Sequence, residues 1–214
     1  MAVTRLAHAR GAWAKKRHAQ FDNQIINEAS MQRLKRISIA VVGVLLLFFI
    51  VGFLLPGAWH AERAVLVRAP APAVFAYLNN LKNWREWVVS HQQDPDMPME
   101  YSGPDAGVGA TSRWRDEYGR GVMKIMHSEA GERIEYRILF DGGESSVEGV
   151  LILVPEAGTA PANAGAATRV VWRAAGAVGR NPLQRYFALL MTYRVGNDLE
   201  ASLQRLKQRL DPKS

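Results

Sequence analysis

The chain has 214 residues, of which 48% are hydrophobic and 22% are charged, and it contains no cysteine. This is the composition of a globular protein, and it excludes disulfide bonds. The formal charge of +7 would suit a nucleic-acid partner only if it lay on a folded surface. Residues 1–36 carry eight Lys or Arg against two acidic residues, which leaves nineteen basic and eighteen acidic residues for the rest. The basic excess is a tail, so no nucleic-acid partner is expected.

The first predicted element is a transmembrane helix over residues 37–55, ISIAVVGVLLLFFIVGFLL. These nineteen residues carry no charge and as a helix cover about 28 Å, close to the thickness of a bilayer's hydrocarbon core. A buried core helix and a cleaved signal peptide are the alternatives. A signal peptide would need a shorter basic region and a shorter apolar run. We therefore expect an uncleaved signal anchor that contacts the lipid bilayer.

The charges beside this segment predict its orientation. Arg33, Lys35 and Arg36 precede it, whereas Arg63 and Arg68 follow at a distance. The positive-inside rule then places the tail in the cytoplasm and the rest of the chain outside, in a bacterial-type inner (cell) membrane. The predicted division is a tail 1–36, a membrane helix 37–55, a linker 56–60 and a domain 61–214. The tail is either a helix on anionic headgroups or a disordered topology signal.

The domain begins with short elements. AERAVLVRA alternates as a strand does, and Pro72 to Trp87 reads as helix, broken into two at Asn79-Asn80. HQQDPDMP is a predicted loop. Six strand-like runs follow between Met99 and Gly176, with an Ala/Gly/Pro-rich loop at Ala157–Ala167. A long amphipathic helix from Pro182 to Leu210 closes the chain.

This order predicts an α+β fold. Short turns between the strands exclude parallel crossovers, which need a dozen or more residues. A curved antiparallel sheet of about six or seven strands, wrapped on the long C-terminal helix, is the economical arrangement.

The element order resembles the helix-grip fold of the START-like (SRPBCC) superfamily, in its polyketide cyclase/dehydrase branch. The segments that carry the resemblance are APAPAVFAYLNNLKNWREW, GVGATSRWR, GRGVMKIM, TRVVWRAAG and NPLQRYFALLMTYRVGNDLEASLQRLK. It covers Ala61 to Leu210. The resemblance implies an apolar pocket between sheet and long helix, and it implies a fold more than a reaction.

Strand alternation predicts which side chains face that pocket. The expected ligand-binding residues are six from the strands and three from the helix: Trp114, Met123, Ile125, Tyr136, Ile138, Trp172, Phe187, Leu190 and Met191. Such a lining suits a flat or flexible apolar ligand. The same residues would equally well fill a core, because pocket wall and core look identical in sequence.

Few residues in the sequence point to catalysis. Tyr136 and Tyr193 carry the hydroxyl groups with which a cyclase or dehydratase would act inside the pocket. A buried Tyr hydroxyl more often forms a hydrogen bond with a backbone group. The five His are scattered, so no metal is expected, and no nucleophile motif or phosphate loop implies a cofactor. Asp116 and Glu117 are adjacent, so on a strand their side chains face opposite ways and cannot act as a pair on one substrate. Asp116 alone is a candidate carboxylate at the pocket rim.

The outward positions of the strands carry Arg113, Arg115, Arg137, Arg169 and Arg173. Cross-strand pairing with Glu135 and Glu148 in solvent is the expected state, and a contact face for a partner or phospholipid headgroups is the alternative.

The sequence thus favours binding over catalysis. We expect a membrane-anchored domain that binds a hydrophobic or amphipathic small molecule such as a lipid, isoprenoid or polyketide-like compound. A polyketide cyclase/dehydratase-type enzyme and a ligand-free module that binds an envelope protein are the alternatives.

Overall fold

The structure is a computed structural model that describes residues 31–94, 96–116, 119–141, 145–156, 166–178 and 181–212. The chain divides into two compact units, Met1–Val51 and Gly52–Ser214. Most of the predicted basic tail and of the predicted loop at 157–167 lies outside the described residues, as does Glu117.

The first described element is an apolar helix, α1 (Met31–Leu54), of 24 residues. Its length and composition allow it to cross a membrane, and a signal sequence near an N-terminus shares these properties. The helix includes Arg33, Lys35 and Arg36, so it starts before the predicted residue 37.

The second unit contains the remaining described elements. They are β1 (Ala58–Val67), α2 (Ala71–Leu78), a 3-10 helix (Leu81–Glu86), α3 (Val89–Gln93), β2 (Met99–Ser102), β3 (Thr111–Asp116), β4 (Gly119–Glu129), β5 (Arg133–Phe140), β6 (Ser145–Glu156), β7 (Ala167–Ala177) and α4 (Pro182–Leu210).

The seven strands form one antiparallel sheet in the order β1-β7-β6-β5-β4-β3-β2. Consecutive strands pair with each other from β2 to β7, and the ten residues of β1 pair with ten of the eleven residues of β7. This topology confirms the predicted α+β helix-grip architecture. One face of the sheet, here called the inner face, carries the buried residues; the other is the outer face.

The long helix α4 has the predicted bounds. Asn181 caps it by accepting a hydrogen bond from the amide of Leu183 at 3.0 Å, and Pro182 occupies its first turn. The helix packs against β1, where Arg63 meets Glu200 with an N–O distance of 3.3 Å. Its buried residues begin at Ala188 and continue through the C-terminal half.

The segment between β1 and β2 covers the inner face. The break predicted near Asn79 separates α2 from a 3-10 helix, as expected. The prediction of a loop from His91 onward is wrong at its start, because α3 (Val89–Gln93) includes that residue. The amide of Val89 donates to Ser202 Oγ of α4 at 3.0 Å. This tertiary contact satisfies a group at the start of α3, and the local sequence does not reveal it.

Candidate functional site

The centre of the inner face is filled by aromatic side chains. Trp84, in the 3-10 helix, and Trp87, at its C-terminal end, make edge and tilted ring contacts with residues that project from the sheet. The ring centroids of Trp87 and Trp172 are 5.0 Å apart, and those of Trp84 and Tyr136 are 5.2 Å apart. Trp87 is 0% exposed. At this point the inner face is a core, with the indoles of Trp84 and Trp87 occupying the space beside Tyr136 and Trp172.

The polar atoms of Tyr136 and Trp172 bond to each other. The indole N–H of Trp172 donates to Tyr136 Oη at 2.8 Å. Burial raises the pKa of Tyr136 far above its ordinary value of 10.0, so the phenol stays protonated at neutral pH. Tyr193 lies on α4 and is 67% exposed. The two tyrosines considered for catalysis therefore do not share a site.

Glycines in neighbouring strands make room for the large rings of the inner face. Trp114 is in register with Gly121, and Tyr136 is in register with Gly149. A Cβ at either glycine would overlap the facing ring. The aromatic rings therefore lie flat against the sheet, which a side chain at the facing position would prevent.

The structure places the nine predicted ligand-binding residues in three environments. Met123, Ile125, Tyr136 and Trp172 are buried in the core cluster, and Trp114, Ile138 and Met191 are partly buried against it. Phe187 and Leu190 are 53% and 50% exposed. The first seven are thus brought together along the inner face, and the last two are not.

Two polar atoms near this cluster have no hydrogen-bond partner among the described residues. They are Trp87 Nε1 and His91 Nδ1, both buried. The His91 ring lies 6.4 Å from that of Trp114, and burial lowers the pKa of this imidazole. No pattern in the sequence predicts a buried imidazole at His91, because its burial depends on the short helix α3.

The larger of the two described pockets is a groove of about 780 Å³ at the β2–β5 end of the sheet. Its lining combines apolar with charged side chains and comprises Pro98, Glu100, Arg113, Trp114, Arg115, Arg120, Gly121, Val122 and Leu139. Four of these stand in register across β2 to β5, in the order Glu100, Arg113, Val122 and Leu139. Trp114 also lines this groove, but its ring lies against Gly121 on the inner face, on the side of the sheet opposite to Arg113 and Arg115. We call this pocket the Trp114 groove.

The arginines of the Trp114 groove differ from the other outer-face arginines in their pairing. Arg137, Arg169 and Arg173 form ion pairs with Glu148, Glu156 and Glu62, so cross-strand pairing is confirmed there, with Glu148 as a predicted partner. The other predicted partner, Glu135, pairs instead with Arg133 of its own strand.

In the groove, Arg113 donates to the hydroxyl of Ser102 at 2.6 Å. Arg115 and Arg120 face each other in the β3–β4 register, and neither forms an ion pair within the described part of the chain. Like charges directly opposite on a sheet repel. Among the lining residues that the structure describes, three guanidinium groups stand against the one carboxylate of Glu100, which gives this part of the groove a positive charge.

The second pocket, of about 70 Å³, is lined by residues around Lys82 and Tyr101. This volume holds a few water molecules and no organic ligand. The Lys82 ammonium bonds Asp105 at 2.7 Å and lowers the pKa of that carboxyl. Among the residues that the structure describes, no cluster of three or more His, Asp or Glu is placed to hold a metal ion.

Comparison with known proteins gives one family and several structures. Residues 58–211 match the model of the family described as polyketide cyclase / dehydrase and lipid transport. No curated protein matches the chain.

Solved structures resemble the second unit. A hypothetical protein from Helicobacter pylori has a TM-score of 0.51 at 10% identity, over 71% of this chain and 87% of its own. Protein CV1439 from Chromobacterium violaceum has a TM-score of 0.47 at 18% identity, over 74% of this chain and 100% of its own. DR_A0006 from Deinococcus radiodurans has a TM-score of 0.44 at 20% identity, over 70% of this chain and 95% of its own. At these identities, the Helicobacter likeness supports the fold alone.

Proposed function

Since the chain belongs to the polyketide cyclase/dehydrase and lipid transport family, we propose that its domain binds an amphipathic anion in the Trp114 groove. The observation that carries the proposal is the composition of that groove. It combines about 780 Å³ of space, an apolar surface at Val122 and Leu139, and guanidinium groups without carboxylate partners among the described residues. Such a site suits a lipid-like molecule with an acidic end.

The size and chemistry of the groove fit this ligand class. Pockets for small molecules in proteins usually hold 300–1,000 Å³. The planar guanidinium of Arg binds carboxylate or phosphate through two parallel hydrogen bonds. Binding an anion between Arg115 and Arg120 also removes the repulsion between them. The apolar body of the ligand would lie on Val122 and Leu139, which share the outer face with the groove arginines.

The second part of the proposal is that α1 anchors the domain in a cell membrane. The support is its length and apolar composition, together with the position of Arg33, Lys35 and Arg36 at its start. By the positive-inside rule the N-terminus lies in the cytoplasm and the domain outside it. The anionic lipids of that membrane are a source of amphipathic anions for the groove.

Binding is tested with radiolabelled oleate and the full chain in amphipol, with methyl oleate as the uncharged control ligand. The Arg115→Gln/Arg120→Gln variant should weaken oleate binding by about 10- to 100-fold, since a charge-assisted hydrogen bond contributes about 1.5 kcal/mol. The Arg137→Gln/Arg169→Gln variant is the matched control, because it removes two paired charges from the same sheet face. It should retain binding within about threefold. Equal losses in both variants, or no saturable oleate binding, would refute the site.

Anchoring is tested by alkaline carbonate extraction of membranes that contain the full chain, followed by N-terminal sequencing. An anchor stays in the membrane pellet with its N-terminus intact. A cleaved signal sequence releases the domain with a new N-terminus after residue 55. Protease added to spheroplasts should digest the domain if it lies outside the cytoplasm.

A further inference from the structure

The first three turns of α4 expose apolar side chains on the side that faces away from the sheet. The large exposed residues are Leu183, Phe187, Leu189, Leu190 and Tyr193, each at least half exposed. Successive residues of a helix are 100° apart, which places Leu183, Phe187 and Leu190 within one narrow stripe. The buried residues Ala188, Leu199 and Leu206 lie on the opposite side of the helix. This stripe is therefore not part of the domain's core.

The stripe ends abruptly along the helix. Beyond Tyr193 the same side carries Arg194, Asn197, Gln204 and Gln208, all exposed. Gln208 is eighteen residues, or five turns, after Leu190 and so points in the same direction, about 27 Å further along. A side that only faces solvent would be polar throughout. The apolar part is restricted to the N-terminal end of α4, which we call the α4 apolar patch (residues 183–193).

The α4 apolar patch lies beside the residues that lead from α1 into the domain. The Arg185 guanidinium donates to the backbone carbonyls of Phe53 and Leu55 at 2.6 and 3.1 Å. A Cβ on Gly52 would lie 2.7 Å from the Pro182 side chain. These contacts fall within the second unit. They place the patch at the point where a membrane anchor would leave the bilayer.

The composition of the patch matches the boundary between lipid headgroups and acyl chains. Leucine and phenylalanine supply apolar surface, Tyr186 and Tyr193 combine a ring with a polar hydroxyl, and Arg194 follows at the polar margin. Tyrosines are enriched at membrane interfaces, and basic side chains there attract anionic headgroups. A large exposed apolar patch on a domain commonly marks an interaction surface.

We propose that the α4 apolar patch contacts the bilayer interface and gives the domain a second membrane contact beside its tether. This inference rests on the proposed anchoring of α1. The patch is then covered by lipid, while the polar half of α4 remains in water.

The chain lacks cysteine, so single-cysteine variants can be labelled cleanly in the full-length protein. Leu190→Cys reports on the patch, and Gln208→Cys is the matched control on the same side of α4. Each variant carries the fluorophore NBD and is reconstituted into vesicles of phosphatidylglycerol and phosphatidylethanolamine, with and without doxyl-labelled lipid. The label at position 190 should emit at shorter wavelength and lose at least half its intensity to the doxyl lipid. The label at position 208 should behave as in water.

The outcomes separate this inference from the anchoring on which it rests. Release of the chain from the vesicles by carbonate would refute the anchoring, and the inference with it. Retention of the chain with position 190 as exposed to water as position 208 would refute the inference alone. The label at position 190 could instead emit at short wavelength without being quenched by doxyl lipid, with an emission that changes with the protein-to-lipid ratio. This would mean that a second copy of the chain covers the patch. That result would also overturn the proposal.

Discussion

Replacing Gly149 by Ala tests how the inner face is packed. The new Cβ would overlap the ring of Tyr136, which is buried and held by its hydrogen bond from Trp172. The ring has no room to move away, so we expect an overpacking cost of about 1–3 kcal/mol. The entropy gained by replacing a strand glycine offsets about 0.5–1 kcal/mol of this. The net destabilisation should be about 1–2 kcal/mol, or roughly 2–8 °C in Tm for a domain of this size.

Gly121→Ala is the matched comparison. Its Cβ would overlap Trp114 in the same way, but this indole is only partly buried. Trp114 can therefore shift on the inner face and lose chiefly its edge contact with Phe140, at a ring distance of 6.2 Å. Such a contact contributes about 0.5–1.5 kcal/mol, which the entropy gain largely offsets.

Thermal melts of the full chain in detergent, followed by near-UV circular dichroism, measure both variants. Gly121→Ala should stay within about 1 kcal/mol of the parent protein. Equal Tm losses in the two glycine variants would refute the reasoning. So would a Gly149→Ala protein that is as stable as the parent, because Tyr136 would then not be confined.

Three further predictions concern stability. Tyr136→Phe should cost about 1–3 kcal/mol in urea unfolding, because the buried indole N–H of Trp172 loses its acceptor; no change would show that water replaces the hydroxyl. Burial lowers the pKa of His91 from its ordinary 6.5, so the unfolded chain binds the proton more readily than the folded one. The stabilisation is complete above pH 6.5 and is lost as the pH falls below it, and His91→Gln should flatten Tm against pH in this range; an unchanged slope would contradict the assignment. Asn181→Ala should cost about 1 kcal/mol by removing the cap on the Leu183 amide, and Asn181→Ser should restore most of it, as measured by helix melting.

The sequence predicted the elements of the fold well because their signals are local. The Asn181-Pro182 start of α4 needs only a cap and a fixed φ, and a strand such as β5 alternates over eight residues. The short helix α3 was not predicted, because its first amide donates a hydrogen bond to Ser202, which lies more than a hundred residues away in the chain. Periodicity cannot register a bond of that kind.

The candidate site was predicted only in part. Alternation put Trp114 and Tyr136 on the inner face, where the structure has them. Alternation could not distinguish Arg115 from Arg137, because both face outward on their strands. In the structure Arg137 pairs with Glu148, whereas Arg115 has no carboxylate partner among the described residues. The distinction depends on which strands become neighbours. In the same way, the apolar spacing of Phe187 is compatible with a core, a pocket or an exposed patch.

The central claim is that an amphipathic anion binds in the Trp114 groove. The most direct measurement is to locate the adduct of a diazirine-bearing fatty acid, photo-crosslinked to the full chain in membranes and mapped by mass spectrometry. We predict adducts at Val122 and Leu139 on the outer face, suppressed by excess oleate and unaffected by excess methyl oleate. Adducts confined to α4 and the inner face, or no adduct that oleate suppresses, would contradict the account.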